Sequence, residues 1–215
     1  TAFSTTSEIP SLKSPEHGQV ADHLARTALK LFARKGYTAT SVNEIVEAAG
    51  VTKPMLYYYF KSKEQLARHL VIEPLESLLQ AMTEADKQTE NPFESQTRWL
   101  GLQIHFSRID PDRARFVVAL YFGPLGADLA DAVGSFGLRA RQLLYAIVSR
   151  RFETLQLSDS RLEAYIRAIN GQMVSTVIDI LYNPDSPLWH EPAESLARRL
   201  IVDLDNGYLQ QPLTT

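Results

Sequence analysis

The chain has 215 residues, 45% hydrophobic and 22% charged, with a formal net charge of -3 and no cysteine. That length can bury a sizeable core in one or two domains, and the missing cysteines exclude disulfides, thiolate zinc sites and a cysteine nucleophile. The longest uninterrupted apolar run, residues 116–122, is far too short to cross a bilayer, and no cationic apolar leader opens the chain, so the expected compartment is the cytoplasm.

Residues 1–13 are rich in Ser and Thr without periodicity and read as a disordered tail. Ser14 and Pro15 can open a first helix as cap and first-turn proline. Ala21, Leu24, Ala25, Ala28, Leu31 and Phe32 then recur at helical spacing, and Gly36 is placed to stop the helix. Ser41 with Glu44 matches a capping box for a second helix, and Thr40 can share the cap. Val42, Ile45, Val46 and Ala49 give that helix one apolar face, and Gly50 supplies a turn that calls for positive φ. Thr52 is placed to cap a third helix, with Pro54 in its first turn where no N–H bond is lost.

Ser62 with Gln65 suggests a second capping box, opening a fourth helix through Leu66, Leu70, Leu75, Leu78 and Met82. Pro74 falls inside this pattern and should kink or split it. Beyond Lys87, helices are expected at roughly 92–108, 112–122, 127–155, 160–182 and 192–209. Asn91-Pro92 and Asp110-Pro111 each supply a cap followed by a first-position proline. No alternating run of β-branched residues suggests a sheet, so the expected fold class is all-α.

The charge is uneven. Residues 1–80 carry nine basic and eight acidic side chains, whereas residues 81–215 carry thirteen and seventeen. Within 52–68, Lys53, Lys61, Lys63 and Arg68 face one acid, Glu64. A local basic patch on an acidic chain suits a site-specific DNA binder better than a charge-driven coat. In the third helix, Leu56 and Phe60 should face the core, with Tyr59 nearer their side, while Lys53 and Tyr57 share another side with Pro54 and Tyr58 beside them. A short amphipathic helix after a tight turn has the form of a recognition helix, whose N-terminal residues reach base edges. Lys53 can donate to guanine O6 or N7, Thr52 can bond a base or a phosphate, and Pro54 can touch a thymine methyl. Tyr57 and Tyr58 suit phosphates, as do Lys63, Thr40 and Ser41 at helix N-termini.

The run A-x-x-L-F-x-x-x-G-Y-x-x-T-S-V-x-x-I-x-x-A-A-G-V-x-K-x-x-L-Y-Y-Y-F-x-S-K-E-x-L, from Ala28 to Leu66, closely resembles the DNA-binding domain of the TetR family of transcriptional regulators. The resemblance implies an all-α homodimer: an N-terminal helix-turn-helix domain over 14–80, then a larger helical ligand-binding and dimerisation domain over 81–215. It further implies DNA contacts from Thr40, Ser41, Thr52, Lys53, Pro54, Tyr57, Tyr58 and Lys63, and release of the DNA when a small molecule binds. The C-terminal half matches only in helical layout and in its last helix, and Pro74 departs from the family pattern.

In that half, the 160–182 and last helices should pair with their copies as a four-helix dimer interface, which would set two recognition helices on a near-palindromic operator. The middle helices suggest a pocket for a largely apolar effector, with Trp99, His105, Phe106, Phe116, Tyr121, Phe122 and Asn170 as candidate lining. The sequence has no GxSxG, Walker loop or HExxH, and its five His residues are scattered without metal-ligand spacing. The expectation is therefore a ligand-released repressor that is not an enzyme and needs neither cofactor nor metal. The rival is a helical small-molecule-binding or protein-interaction module whose helix-turn-helix is vestigial.

Overall fold

A computed structural model of the chain describes residues 15–122, 127–155, 158–183 and 185–208. The expected tail and the Ser14 cap lie outside them. Helix α1 (Pro15–Lys35) ends at Gly36, whose φ of 84° and N–H bond to the Phe32 carbonyl at 2.9 Å form the expected stop. Helix α2 (Val42–Ala49) opens on the Ser41–Glu44 capping box, with both reciprocal bonds made. Lys35 reaches the same carboxylate at 2.6 Å, and this pair with the two Ser41 bonds holds the Glu44 carboxyl down to about 2. Gly50, at φ 63°, closes α2.

Helix α3 (Lys53–Phe60) follows with Thr52 in the cap position, but the Thr52 side chain makes no cap bond. Pro54 sits where the second helical N–H would be, so one of the two usual donors is missing. Helix α4 (Lys63–Ala67) keeps the hydroxyl half of its predicted capping box, with Ser62 Oγ accepting from the Gln65 N–H at 3.0 Å.

Pro74 does not split the helix that follows. A π-helical turn over Arg68–Ile72 joins α4 to α5 (Glu73–Lys87), with the Glu73 N–H reaching back to the Arg68 carbonyl. The wider turn gives room where a proline ring would strike the carbonyl four residues back. That carbonyl, Leu70 O, has lost its helical donor and accepts instead from Arg113 Nε at 3.0 Å.

Helices α6 (Pro92–Ile109), α7 (Pro111–Phe122), α8 (Ala127–Leu155), α9 (Asp159–Tyr182) and α10 (Ala193–Tyr208) complete the fold, with a short 3₁₀ turn at Pro187–Trp189. Their ends lie within a residue of the sequence expectation, and no strand occurs among the described residues. The Asn91 side chain caps α6 through the Phe93 and Glu94 N–H groups, and Asp110 Oδ1 accepts from the Arg113 N–H at the start of α7.

Two apolar clusters hold these helices. The first joins Leu24, Phe32, Ile45, Leu56 and Leu66 to Phe116 of α7 and to Leu129 and Phe136 of α8. Phe32 and Phe116 meet at 5.1 Å between ring centroids. The packing of residues 24–79 therefore continues across the expected division at residue 80. The second cluster unites Met82, Trp99, Leu100, Leu144, Ile166 and Ile201. Within it α6 and α10 cross closely at Gly101, where an added Cβ would lie 3.4 Å from Glu194 Cα.

A polar network is buried beside this second cluster. Arg151 of α8 donates to Gln96 Oε1 at 2.9 Å and to Tyr165 Oη at 3.1 Å, and pairs with Asp205 of α10. Tyr165 donates to Asp205 Oδ1 at 2.8 Å, and burial together with the Asp205 charge pushes its phenol well above its ordinary value. Four helices meet in this one set of bonds.

Two substitutions test these ties. Arg113→Ala strands the Leu70 carbonyl and is expected to cost about 1–3 kcal/mol of stability in chemical denaturation. Asp205→Ala leaves the Arg151 guanidinium buried without its counter-charge, and is expected to cost about 3–5 kcal/mol by the same measurement. A loss below about 1 kcal/mol for Asp205→Ala would show that the network carries no weight.

Candidate nucleic-acid interface and effector cavity

Leu56 is fully buried and anchors α3, and Tyr59 and Phe60 pack against the first cluster, as their positions predicted. Thr52, Lys53, Pro54, Tyr57 and Tyr58 are exposed, Tyr58 at 73%. The helix thus divides into a rooted side and a free side that begins at its N-terminus. Lys61 ends it at φ 59°, a left-handed conformation unusual outside glycine, and its N–H bonds the Tyr57 carbonyl at 3.0 Å.

Two expected phosphate contacts lie elsewhere. Thr40 is fully buried, and its hydroxyl donates to the Gly36 carbonyl at 2.8 Å. Lys63 Nζ donates to the Tyr37 and Thr40 carbonyls at 3.1 and 3.0 Å and stands 4.3 Å from the Tyr37 ring centre. The turn between α1 and α2 leaves carbonyls that need donors, and Lys63 supplies them across 23 to 26 residues of sequence. Ser41 remains exposed, with its hydroxyl oxygen accepting from Glu44.

A cavity of about 420 Å³ opens among α5 to α9, within the usual size range of small-molecule sites. Leu75 and Leu78 of α5 form part of its wall, with Trp99, Gln103 and Phe106 of α6 and Val118, Tyr121 and Phe122 of α7. Asn170 of α9 completes the set of expected residues that converge there, its amide already donating to the Ile166 carbonyl at 2.8 Å.

Two expected residues do not take part. His105 is exposed, because it lies two residues from Gln103 and so on the far side of α6. Phe116 is spent in the first cluster against Phe32. Sequence reasoning missed Gln103 and Ser107, although they repeat the Trp99 position at four-residue steps, and it missed Arg141 and Arg167. Gly137 brings Tyr121 flush with the wall, since an added Cβ would meet Tyr121 Oη at 2.9 Å. The indole N–H of Trp99 and the amide nitrogen of Gln103 are buried without an acceptor. No cluster of side chains fit to hold a metal occurs among the described residues.

Residues 24–70 match the family model of bacterial regulatory proteins of the tetR family. The likeness to the tetR family is carried by this N-terminal domain. Over 51 residues it is 41% identical to the HTH-type transcriptional regulator AcrR of Shigella flexneri, covering 24% of each chain. Over 98 residues it is 33% identical to the HTH-type transcriptional repressor KstR2 of Mycolicibacterium smegmatis, covering 45% of this chain and 46% of that one. The chain thus spans a quarter to just under a half of these curated relatives. In fold it is similar to the transcriptional regulator FadR of Bacillus subtilis, solved with stearoyl-CoA, at a TM-score of 0.64 and 19% identity over 84% of this chain and 97% of that one.

The tetR-family match ends at Leu70, the residue whose carbonyl Pro74 frees and Arg113 claims. Inside the matched domain, Lys63 acts as a staple, which gives a test. Lys63→Ala is expected to lower the stability of the domain by about 1–3 kcal/mol, since it removes a donor from the carbonyl of the fully buried Thr40. Differential scanning calorimetry should show the drop, and an unchanged Tm would return Lys63 to the role of a free surface cation.

Proposed function

We propose that the chain is a DNA-binding transcriptional regulator: a cytoplasmic homodimeric repressor that leaves a near-palindromic operator when a small, largely apolar molecule fills the cavity. The observation that carries this reading is α3 itself, rooted by Leu56 and free at Thr52, Lys53 and Pro54. The Thr52 hydroxyl is not used as a cap, so it is available to a base or a phosphate. Lys53 reads guanine, Pro54 lies against a thymine methyl, and Tyr57, Tyr58 and Ser41 bond phosphates. Thr40 and Lys63 contribute by holding the turn that carries Ser41.

Dimerisation is supported by an exposed stripe on α9, Gly171, Ser175, Ile178 and Tyr182, and by exposed Val202 on α10. Small side chains at helical spacing allow close approach, and paired helices from two copies make a four-helix interface. Two recognition helices then meet successive major grooves about 34–36 Å apart. The apolar cavity supports an effector, and the FadR fold relative was solved with an acyl-CoA. Such a molecule shifts the protein off DNA only by binding the released state more tightly than the bound one. The reading assigns no catalytic step.

Fluorescence anisotropy with DNA flanking the protein's own gene, over a salt series, tests it. Sequence-selective, salt-sensitive binding is expected, with Lys53→Ala costing about 1–3 kcal/mol and narrowing the gap between specific and random DNA. Failure to discriminate any sequence would favour the vestigial helix-turn-helix module instead.

A further inference from the structure

The charged side chains of the cavity wall are of one sign. Its lining includes two arginines, Arg141 of α8 and Arg167 of α9, and among the described residues no Asp or Glu. The acid nearest to both is Glu163, at 3.9 Å from Arg141 and 3.7 Å from Arg167. Neither approach is a close, charge-assisted hydrogen bond, for which N–O distances are about 2.7–2.9 Å. Two cations thus share one loosely held carboxylate, leaving a positive excess at the cavity.

Two further donors lie buried behind the wall. Trp99 is only 2% exposed, and its indole N–H has no acceptor; the Gln103 amide nitrogen is likewise unmatched. Both groups donate hydrogen bonds. The other wall polar groups with recorded bonds, the Ser107 hydroxyl and the Asn170 amide, are already spent on the Gln103 and Ile166 carbonyls. Asn170, Gln103 and Tyr121 also carry oxygens that can accept, so what sets this wall apart is its charge: two arginines in an otherwise uncharged, largely apolar lining.

Taking this cavity as the effector site, as proposed above, we propose that the effector is an amphipathic anion. Its apolar body lies against Leu75, Leu78, Val118 and Met173, and its oxyanion, a carboxylate or a phosphate, pairs with Arg141 and Arg167 in place of the Glu163 oxygen that both now face at long range. Guanidinium groups suit either oxyanion, because each offers paired N–H donors in one plane. A neutral chain of equal length gains the apolar contacts and forgoes the charge.

The test uses the full-length protein and four probes with the same alkyl chain: dodecanoate, dodecyl phosphate, dodecanol and dodecylammonium. Isothermal titration calorimetry is expected to give one or both anions about tenfold tighter binding than dodecanol, with dodecylammonium weakest. Which anion leads identifies the head group. R141A/R167A should bring the anions down to the dodecanol level and weaken dodecanol itself far less. R141K/R167K should keep part of the preference and lose the bidentate share. Circular dichroism melts confirm that the variants fold, since both arginines are exposed.

The inference is overturned if dodecanol matches the anions, if dodecylammonium is preferred, if the double alanine variant weakens dodecanol equally, or if no probe binds. DNA anisotropy in parallel separates it from the effector reading. An anion that binds with the expected preference but leaves the DNA complex intact supports the ligand class and sinks the effector role. Release by dodecanol as readily as by dodecanoate does the reverse.

Discussion

One absent N–H group organises the junction on which both halves of the molecule depend. Pro74 cannot donate to the Leu70 carbonyl, and the chain answers with a π turn over Arg68–Ile72 and with Arg113 from α7. The helical run from Lys63 to Lys87 therefore stays continuous while changing register part-way along. Its first turn holds Lys63, which staples the α1–α2 turn beside α3. Its later turns hold Leu75 and Leu78, which form cavity wall. Arg113 lies on the same helix as Val118, Tyr121 and Phe122, also cavity wall. The Arg113 bond to Leu70 thus ties α7 to the same helical run that bears Lys63 at one end and cavity wall further on.

What the sequence made legible was local. Ser41 with Glu44, Gly36, Gly50 and Asn91 act within four residues of themselves, so their roles follow from spacing alone. Leu56 and the free side of α3 follow from helical periodicity in the same way. What escaped depends on distant partners. Lys63 reads as a phosphate contact until its ammonium is found on carbonyls 23 and 26 residues away. Thr40 reads as an exposed cap until the α1–α2 turn buries it. Thr52 holds the cap position without capping; Pro54, two residues on, removes one of the two N–H groups its hydroxyl could have met. In the cavity, Trp99 and Phe106 were accessible to pattern reading, whereas His105 and Phe116 show that an aromatic-rich helix does not reveal which neighbour each ring meets.

The Arg151 network shows why burial of charge does not by itself indicate a ligand site. Its bonds join residues 14 to 69 positions apart on four helices, and no spacing rule finds it. Arg151 meets Gln96, Tyr165 and the full charge of Asp205, so its donors have partners and its charge is balanced. Such a set fixes how four helices dock, because a shift of any one strands a buried polar group at a cost of roughly 1–3 kcal/mol.

Arg141 lies on the same helix ten residues earlier, about three turns away, and its situation is opposite. Its carboxylate contact is at 3.9 Å and shared with Arg167, and the space beside it is the cavity. One α8 arginine is therefore a structural cation paired within the protein, and the other an exposed cation without a close counter-charge. The distinction does not lie in residue type or in burial alone, since Arg151 is the more buried of the two. It lies in whether the protein itself supplies the anion. At Asp205 it does, and at the Arg141–Arg167 rim it supplies one carboxylate for two guanidinium groups.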